Sequence, residues 1–204
     1  MIKEIQNLNI GVEEEYQLIN PKTRELTSYV TEILKDGSLV SKNDVRPELL
    51  QSQIEIGSEV CNSVQELEKN LSHLRLLIKK YANKSNLEIV AAGTHPFSHW
   101  KNQVVTDKSR YHGFMDSTQY VGKRMLIFGM HVHIGIKDPD LRIDIMNQMR
   151  YFIPHIMTLA SSSPFWQGNN TGFKSFRSII FEDLPRTGVP ETFSSYQEYK
   201  RYIR

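Results

Sequence analysis

Three separate segments of the chain alternate apolar and polar residues with a period of two, which is typical of strands with one buried and one polar face. They run from Leu8 to Ile19, from Leu49 to Ile56 and from Gly129 to Ile136. On their polar sides they carry, in chain order, Glu13 and Glu15, then Gln53 and Glu55, then His131 and His133. Carboxylate, amide or imidazole side chains recur on the polar side of all three segments. The pattern therefore predicts a sheet with one polar face and limits the ligands that this face can bind.

Helix signals separate these strands. Ser63-Val-Gln-Glu66 is a capping box, and apolar residues follow it at helical spacing as far as Tyr81. Asp138-Pro139 predicts another helix start, with an interruption at Pro154. We therefore expect an α+β fold in a single domain over residues 1–204, with a largely antiparallel sheet, helices packed on one face and the polar site on the other.

Other segments give weaker signals. The apolar run from Leu87 to Ala92 predicts a buried strand that brings His95 to its end, and the segment through Tyr111 predicts a helix. The stretch from Ser161 to Gly172 is rich in turn residues and is expected to be a loop. The polar segment before Asp44 shows no clear period.

Composition argues against several functional classes. The 25 Lys and Arg residues nearly balance the 23 Asp and Glu residues and are spread along the chain, unlike a nucleic-acid surface. No apolar stretch approaches the ~20 residues that span a bilayer, and the polar N-terminus is unlike a secretory signal. The single cysteine, Cys61, permits no intramolecular disulfide and is expected to be buried, so we predict a cytoplasmic protein.

The polar faces predict a divalent metal, because clustered carboxylates repel one another unless a cation neutralises them. Oxygen-rich ligation with one imidazole favours Mg²⁺ or Mn²⁺ over Zn²⁺. A solvated sheet face is the competing explanation, and for any one strand it is the commoner one. The coincidence of three strands favours the metal site. A P-loop route to ATP is unsupported, since the sequence has no Gly-x-x-x-x-Gly-Lys-Ser/Thr motif.

In their order and spacing, several motifs resemble the glutamate-cysteine ligase type 2 family. They are Gly11-Val-Glu-Glu-Glu15, Glu48-Leu-Leu-Gln-Ser-Gln-Ile-Glu55, Gly129-Met-His-Val-His133, and Ser163-Pro-Phe-Trp-Gln-Gly168 with Thr171-Gly-Phe-Lys-Ser-Phe-Arg-Ser178. That family is similar to the glutamine synthetase superfamily, whose catalytic sheet forms a funnel that holds divalent cations between ATP and an amino-acid carboxylate. The resemblance implies this fold, and we expect it to be incomplete at the C-terminus because family members continue further.

The resemblance also implies roles for individual residues. The implied metal ligands are Glu13, Glu15, Glu48, Glu55 and His131. Glu14 points to the apolar side by alternation and is left out. Arg177 and Arg186 are the implied catalytic cations near substrate or phosphate, although without the resemblance they would be ordinary surface arginines. The substrate-binding candidates are Gln53, His133 and His95; the two histidines are equally well explained as hydrogen-bonded structural residues.

The implied reaction joins a glutamate-like carboxylate to a cysteine-like amine, as in glutathione biosynthesis. The carboxylate would attack the γ-phosphate of ATP in the presence of Mg²⁺ or Mn²⁺, and the amine would displace phosphate from the acyl phosphate. Two alternatives stay open. One is a metal-dependent hydrolase built around His131 and His133, and the other is a non-catalytic binding or dimerisation module whose free sheet edge a second copy covers.

Overall fold

The computed structural model describes residues 8–35 and 44–204, so part of the polar segment before Asp44 lies outside the described residues. The strands of the main sheet are β1 (Asn9–Ile19), β2 (Val45–Pro47), β3 (Gln53–Gly57), β4 (Glu88–Val90) and β5 (Met130–Gly135). The helices are α1 (Val30–Lys35), α2 (Val64–Lys84), α3 (Ser109–Thr118), α4 (Tyr120–Lys123), α5 (Pro139–Met149), α6 (Ile153–Leu159), α7 (Phe176–Glu182) and α8 (Tyr196–Tyr202). None of these helices is long and apolar enough to cross a bilayer.

β1 is the central strand, and its length allows it to pair with three partners. One of its edges pairs with β3, which in turn pairs with β2. Its other edge pairs with β5 along the N-terminal half and with β4 at the C-terminal end. Every one of these pairings is antiparallel, which confirms the predicted sheet type.

Helix α2 covers one face of the sheet, as the sequence predicts. The Ser63 hydroxyl accepts a hydrogen bond from the Glu66 N–H at 3.2 Å and so satisfies one of the free donors at the helix start. The helix buries Leu67, Leu71, Leu74, Ile78 and Ala82. They pack against the apolar side of β1 and β3, including Leu18, Ile54 and Ile56, and each large side chain buried there contributes roughly 1.5–3 kcal/mol.

An ion pair between the buried Glu14 and the half-exposed Arg75 joins this helix to the centre of the sheet. Glu14, 5% exposed, accepts hydrogen bonds from the Tyr16 hydroxyl at 2.7 Å and from the Arg75 Nε at 2.8 Å, with a second bond to the Arg75 guanidinium. Burial would raise the pKa of Glu14, but the hydrogen bonds from Arg75 and Tyr16 hold it below its usual value. The apolar-side position predicted for Glu14 is confirmed.

The structure corrects one predicted strand boundary and one predicted loop. The second strand begins at Gln53 rather than Leu49, because the Gln51 carbonyl accepts from Tyr29 and Val30 and the Gln51 N–H donates to Val104 instead of joining a ladder. The loop from Ser161 to Gly172 contains a two-stranded hairpin, β6 (Phe165–Trp166) and β7 (Asn169–Asn170). The two residues between these strands both have positive φ, 49° at Gln167 and 80° at Gly168, which matches a tight hairpin turn.

Helices are not confined to one face, which refines the predicted layering. α7 lies on the polar side, where it carries Arg177 towards Glu15. A second apolar cluster includes Leu50, Trp100, Leu126, Trp166 and Ile180. The break predicted at Pro154 is confirmed, since α5 ends at Met149 and a 3-10 turn leads into α6.

Candidate functional site

The face of the sheet opposite α2 gathers charged residues in two rows. Directly opposed residues of antiparallel strands point to the same face, so the strand register fixes which side chains meet. Glu55 lies opposite both Glu15 and Arg46, which places these three in one row. In the next row Glu13 lies opposite His131.

Three carboxylates converge at one point of this face. Glu15, Glu48 and Glu55 each offer an oxygen, and these atoms all lie within 4.8 Å of one another. Burial, together with the charges of Glu48, Glu13 and Glu15, raises the pKa of Glu55 to about 7. The pKa of Glu15 is also raised, chiefly by burial. The cluster therefore carries more negative charge than its surroundings compensate, and its oxygen donors suit Mg²⁺ or Mn²⁺.

Backbone and amide donors hold Glu15 in place. Its Oε2 accepts from the Gly129 N–H at 2.6 Å and from the Gln53 Nε2 at 3.0 Å. The same Gln53 nitrogen donates to the Ile127 carbonyl at 3.0 Å, so the structure places this predicted substrate-binding amide as a support for Glu15. The Oε2 atom of Glu15 therefore already accepts two hydrogen bonds from the protein.

Glu48 follows β2 directly and is held by helix α3. The Tyr111 hydroxyl donates a hydrogen bond to its Oε2, and the Arg110 guanidinium lies 3.9 Å from the same oxygen. Burial and the bond to Glu48 raise the pKa of Tyr111, which therefore stays a donor at neutral pH.

Glu13 lies between the two histidines of β5. Its Oε2 is 3.0 Å from the His133 Nε2 and 3.5 Å from the His131 Nδ1. Both histidine side chains are more than half exposed. The Arg46 guanidinium bridges the two rows, at 3.8 Å from Glu13 and 3.6 Å from Glu55.

Arg177 is the predicted catalytic cation that the structure brings to the cluster. The backbone N–H of Arg177 donates to the Ser163 hydroxyl at 3.1 Å, and its Nε is buried without a hydrogen-bond partner. Burial lowers the pKa of the guanidinium, and the charge of Glu15 opposes that shift. Gly129 makes room for it, because a Cβ there would lie 2.7 Å from an Arg177 guanidinium nitrogen. A buried donor without a partner is a candidate contact for an anion.

Two predicted residues have no contact with this cluster among the described residues. Both ring nitrogens of His95 face backbone groups: Nε2 lies 2.9 Å from the Arg24 carbonyl, and Nδ1 accepts from the Ser98 N–H at 2.9 Å. These bonds match the structural role that the sequence left open for His95. Arg186 is exposed in the loop after α7, with a φ of 62°.

Sequence reasoning missed Arg46 and Tyr111. Arg46 belongs to a strand of three residues, which is too short to show a period. Tyr111 is a buried aromatic residue of α3 whose hydroxyl reaches a carboxylate 63 positions earlier. The only local signal for Arg46 was its own charge two positions before Glu48, and Tyr111 had no local signal.

Comparison with known proteins identifies the relatives of this chain. A family model described as glutamate-cysteine ligase family 2 matches residues 9–204. A protein of Herpetosiphon aurantiacus, provisionally named glutamate–cysteine ligase 2, is 51% identical over 194 residues, which cover 95% of this chain and 50% of the relative. A relative of the same name from Roseiflexus castenholzii is 46% identical and covers 96% of this chain and 52% of its own length. The chain thus spans about half the length of these relatives.

Two solved structures share the fold. A bifunctional glutathione synthetase from Pasteurella multocida aligns with a TM-score of 0.63 at 12% identity, over 79% of this chain and 24% of that one. A glutamate–cysteine ligase from Francisella tularensis, in complex with AMP, aligns with a TM-score of 0.61 at 14% identity, over 78% of this chain and 36% of that one. At these identities the likeness concerns the fold alone.

Proposed function

Because the chain belongs to glutamate-cysteine ligase family 2, we propose that it supplies the metal-binding half of an ATP-dependent carboxylate–amine ligase site. The observation that carries this proposal is the convergence of Glu15, Glu48 and Glu55 within 4.8 Å, with the pKa of Glu55 raised to about 7. A site that pushes a carboxyl pKa this far is a candidate for a cation or for proton transfer.

The residues divide into two candidate ligand groups. Glu15, Glu48 and Glu55 would hold one Mg²⁺ or Mn²⁺, and Glu13 with His131 would contribute to a second position in the neighbouring row. The bound cation would neutralise phosphate oxygens, which otherwise repel a carboxylate nucleophile. Gln53 and Tyr111 would position Glu15 and Glu48, since each donates a hydrogen bond to one of them.

Cationic side chains would bind the anionic substrates. The buried Nε of Arg177 can donate to a phosphate or carboxylate oxygen that enters beside Glu15. His133 is exposed beside Glu13 and would meet substrate there, whereas Arg186 would take part only if substrate extends to the loop after α7. A glutamate-like carboxylate would attack the γ-phosphate of ATP, releasing ADP, and a cysteine-like amine would displace phosphate to form the amide. The AMP complex of the Francisella structure supports nucleotide use by the fold.

The test is calorimetric titration of the purified chain with a non-hydrolysable ATP analogue, with Mg²⁺ present and then chelated. We expect Mg²⁺-dependent binding in the parent chain and its loss in Glu55→Ala. Glu68→Ala, on the exposed side of α2, is the matched control and should bind as the parent does. Binding that ignores both Mg²⁺ and Glu55→Ala would overturn the proposed metal site.

The hydrolase alternative is less well supported by the geometry. Among the described residues, the only group of three or more metal-competent side chains that converges is the carboxylate cluster, and neither His131 nor His133 belongs to it. Product formation from an ester or amide with Zn²⁺ and without ATP would favour the hydrolase instead.

A further inference from the structure

A cavity of about 470 Å³ lies between the segment after Glu48 and helices α3 and α4. Its walls are mostly apolar: Leu50, Trp100, Val105, Met115 and Tyr120. The volume falls within the range of small-molecule sites, roughly 300–1,000 Å³. None of the residues assigned to the carboxylate cluster lines it, so the ligase chemistry leaves this cavity without a role.

Two aromatic rings, those of Trp100 and Tyr120, line the cavity. Trp100 is 8% exposed, and Tyr120 meets it edge-on with ring centroids 5.3 Å apart. When the Gln167 amide is oriented to satisfy both neighbouring indoles, its oxygen accepts from Trp100 Nε1 at 2.8 Å. Tyr120 is 61% exposed, so part of its ring is accessible from the cavity.

The charge around the cavity is positive. Lys101 and Lys123 both line it, and Lys101 Nζ lies 5.4 Å from the centroid of the Trp100 ring. No carboxylate lines it, and no ion pair joins either lysine to an acidic group of the described residues. The remaining polar side chain, Gln103, already accepts from the Ser52 hydroxyl at 2.7 Å and donates to the His99 carbonyl at 3.1 Å.

We propose that this cavity binds a small molecule that combines a planar apolar ring with an anionic group, of the aromatic carboxylate class. The ring would pack against Trp100 and Tyr120, where apolar area and aromatic contacts stabilise it. The carboxylate would face Lys101 and Lys123, because these are the groups of the lining that can pair with a charge. Binding there requires neither ATP nor a metal.

The experiment is calorimetric titration of the full chain with naphthoate, its neutral isostere naphthylmethanol, and acetate. We expect naphthoate to bind more tightly than the alcohol, and acetate to bind far more weakly than either. In the double variant Lys101→Glu/Lys123→Glu, naphthoate affinity should fall at least about tenfold while the affinity of the alcohol stays nearly constant.

Three further variants separate the site from general effects. Lys22→Glu/Lys69→Glu makes the same change in net charge on exposed residues away from the cavity lining and should leave naphthoate binding intact. Tyr120→Ala should weaken the binding of both ring compounds, because it removes one of the two rings that they would contact. Tyr120 is exposed, so this substitution leaves the core intact. Glu55→Ala should bind naphthoate as the parent chain does, although it should lose Mg²⁺-dependent binding of the ATP analogue. The proposed metal site and the proposed cavity site can therefore fail independently. Equal affinity for naphthoate and the alcohol, or unchanged affinity after the lysine reversal, overturns the proposal.

Discussion

The two edges of β1 differ in how their apolar side is covered. Ile56 on β3 and Ile134 on β5 both lie on the side that alternation marks as apolar, and both strands pair with β1. Ile56 is 0% exposed and belongs to the core, whereas Ile134 is 49% exposed. Met130 and Val132, on the same strand as Ile134, are exposed to similar degrees. Alternation thus identifies the side of a strand that is apolar, but it does not identify what covers that side.

The polar side shows the same contrast. Glu15, next to β3, accepts hydrogen bonds from Gly129 and Gln53 and has the partly buried Arg177 nearby. Glu13, next to β5, meets two histidines that are more than half exposed. One half of the candidate site is therefore fixed by its own chain, and the other half is open to solvent or to a partner.

The largest expected effect tests this contrast directly with the same substitution on each strand. Ile56→Ala should lower the free energy of unfolding by about 3–4 kcal/mol, because it leaves a cavity in a packed core. Ile134→Ala should cost about 1 kcal/mol or less, since half of its surface is already in water. Urea denaturation followed by circular dichroism measures both. Equal losses would show that β5 is covered in solution, for example by a second copy.

The next effect concerns the buried carboxylate of β1. Arg75→Met removes the partner of Glu14 and leaves that group in the core, so we expect a loss of about 1–3 kcal/mol at pH 7. The folded-state pKa of Glu14 is lowered, so its stabilisation is present above its unfolded pKa and is lost as pH falls through the folded value.

The matched comparison is Arg75→Met in a Glu14→Gln background. There the second substitution should cost much less, because no charge is left unpaired. Additive losses in the double variant would contradict the assigned ion pair.

The predictability of the molecule follows from how local each signal is. The start of α2 at Ser63 and that of α5 at Asp138 were predicted because a cap and its first turn are neighbours in sequence. The polar faces of β1 and β5 were predicted because alternation is local too. Tyr111 and Arg46 could not be predicted, since only the packing of α3 and the register of β2 bring them to the carboxylates. For His95 the sequence left a structural role and a substrate contact equally open, and only the fold shows that both of its ring nitrogens face backbone groups.

A smaller effect is expected at the cluster of Glu15, Glu48 and Glu55, where a substitution should raise the free energy of unfolding instead of lowering it. The pKa of Glu55 is about 7 in the folded chain and near 4.5 when unfolded, so between these values the folded state holds the extra proton. Stability therefore falls as pH rises through this window and stays lower above it. Glu55→Gln should raise the free energy of unfolding at pH 8 by about 1–2 kcal/mol and leave it nearly unchanged near pH 4.

Denaturation curves at several pH values test this, with Glu68→Gln on the exposed side of α2 as the control. Added Mg²⁺ should raise the stability of the parent chain at pH 8 and not that of Glu55→Gln, because a bound cation offsets the same repulsion. A parent chain and Glu55→Gln variant with parallel pH profiles would show that Glu55 titrates normally.

The smallest effect is expected where Glu13 faces solvent. His133→Ala removes a contact of 3.0 Å to Glu13, but both side chains are partly exposed, so the free energy of unfolding should change by about 0.5 kcal/mol or less. Gln53→Ala, on the covered half, should cost about 1–2 kcal/mol because its amide nitrogen donates to both Glu15 and the Ile127 carbonyl. If the two substitutions cost the same in urea denaturation, the two halves of the site do not differ in rigidity. The expected order would instead show that the contacts of Glu13 with β5 contribute less to stability than those that hold Glu15.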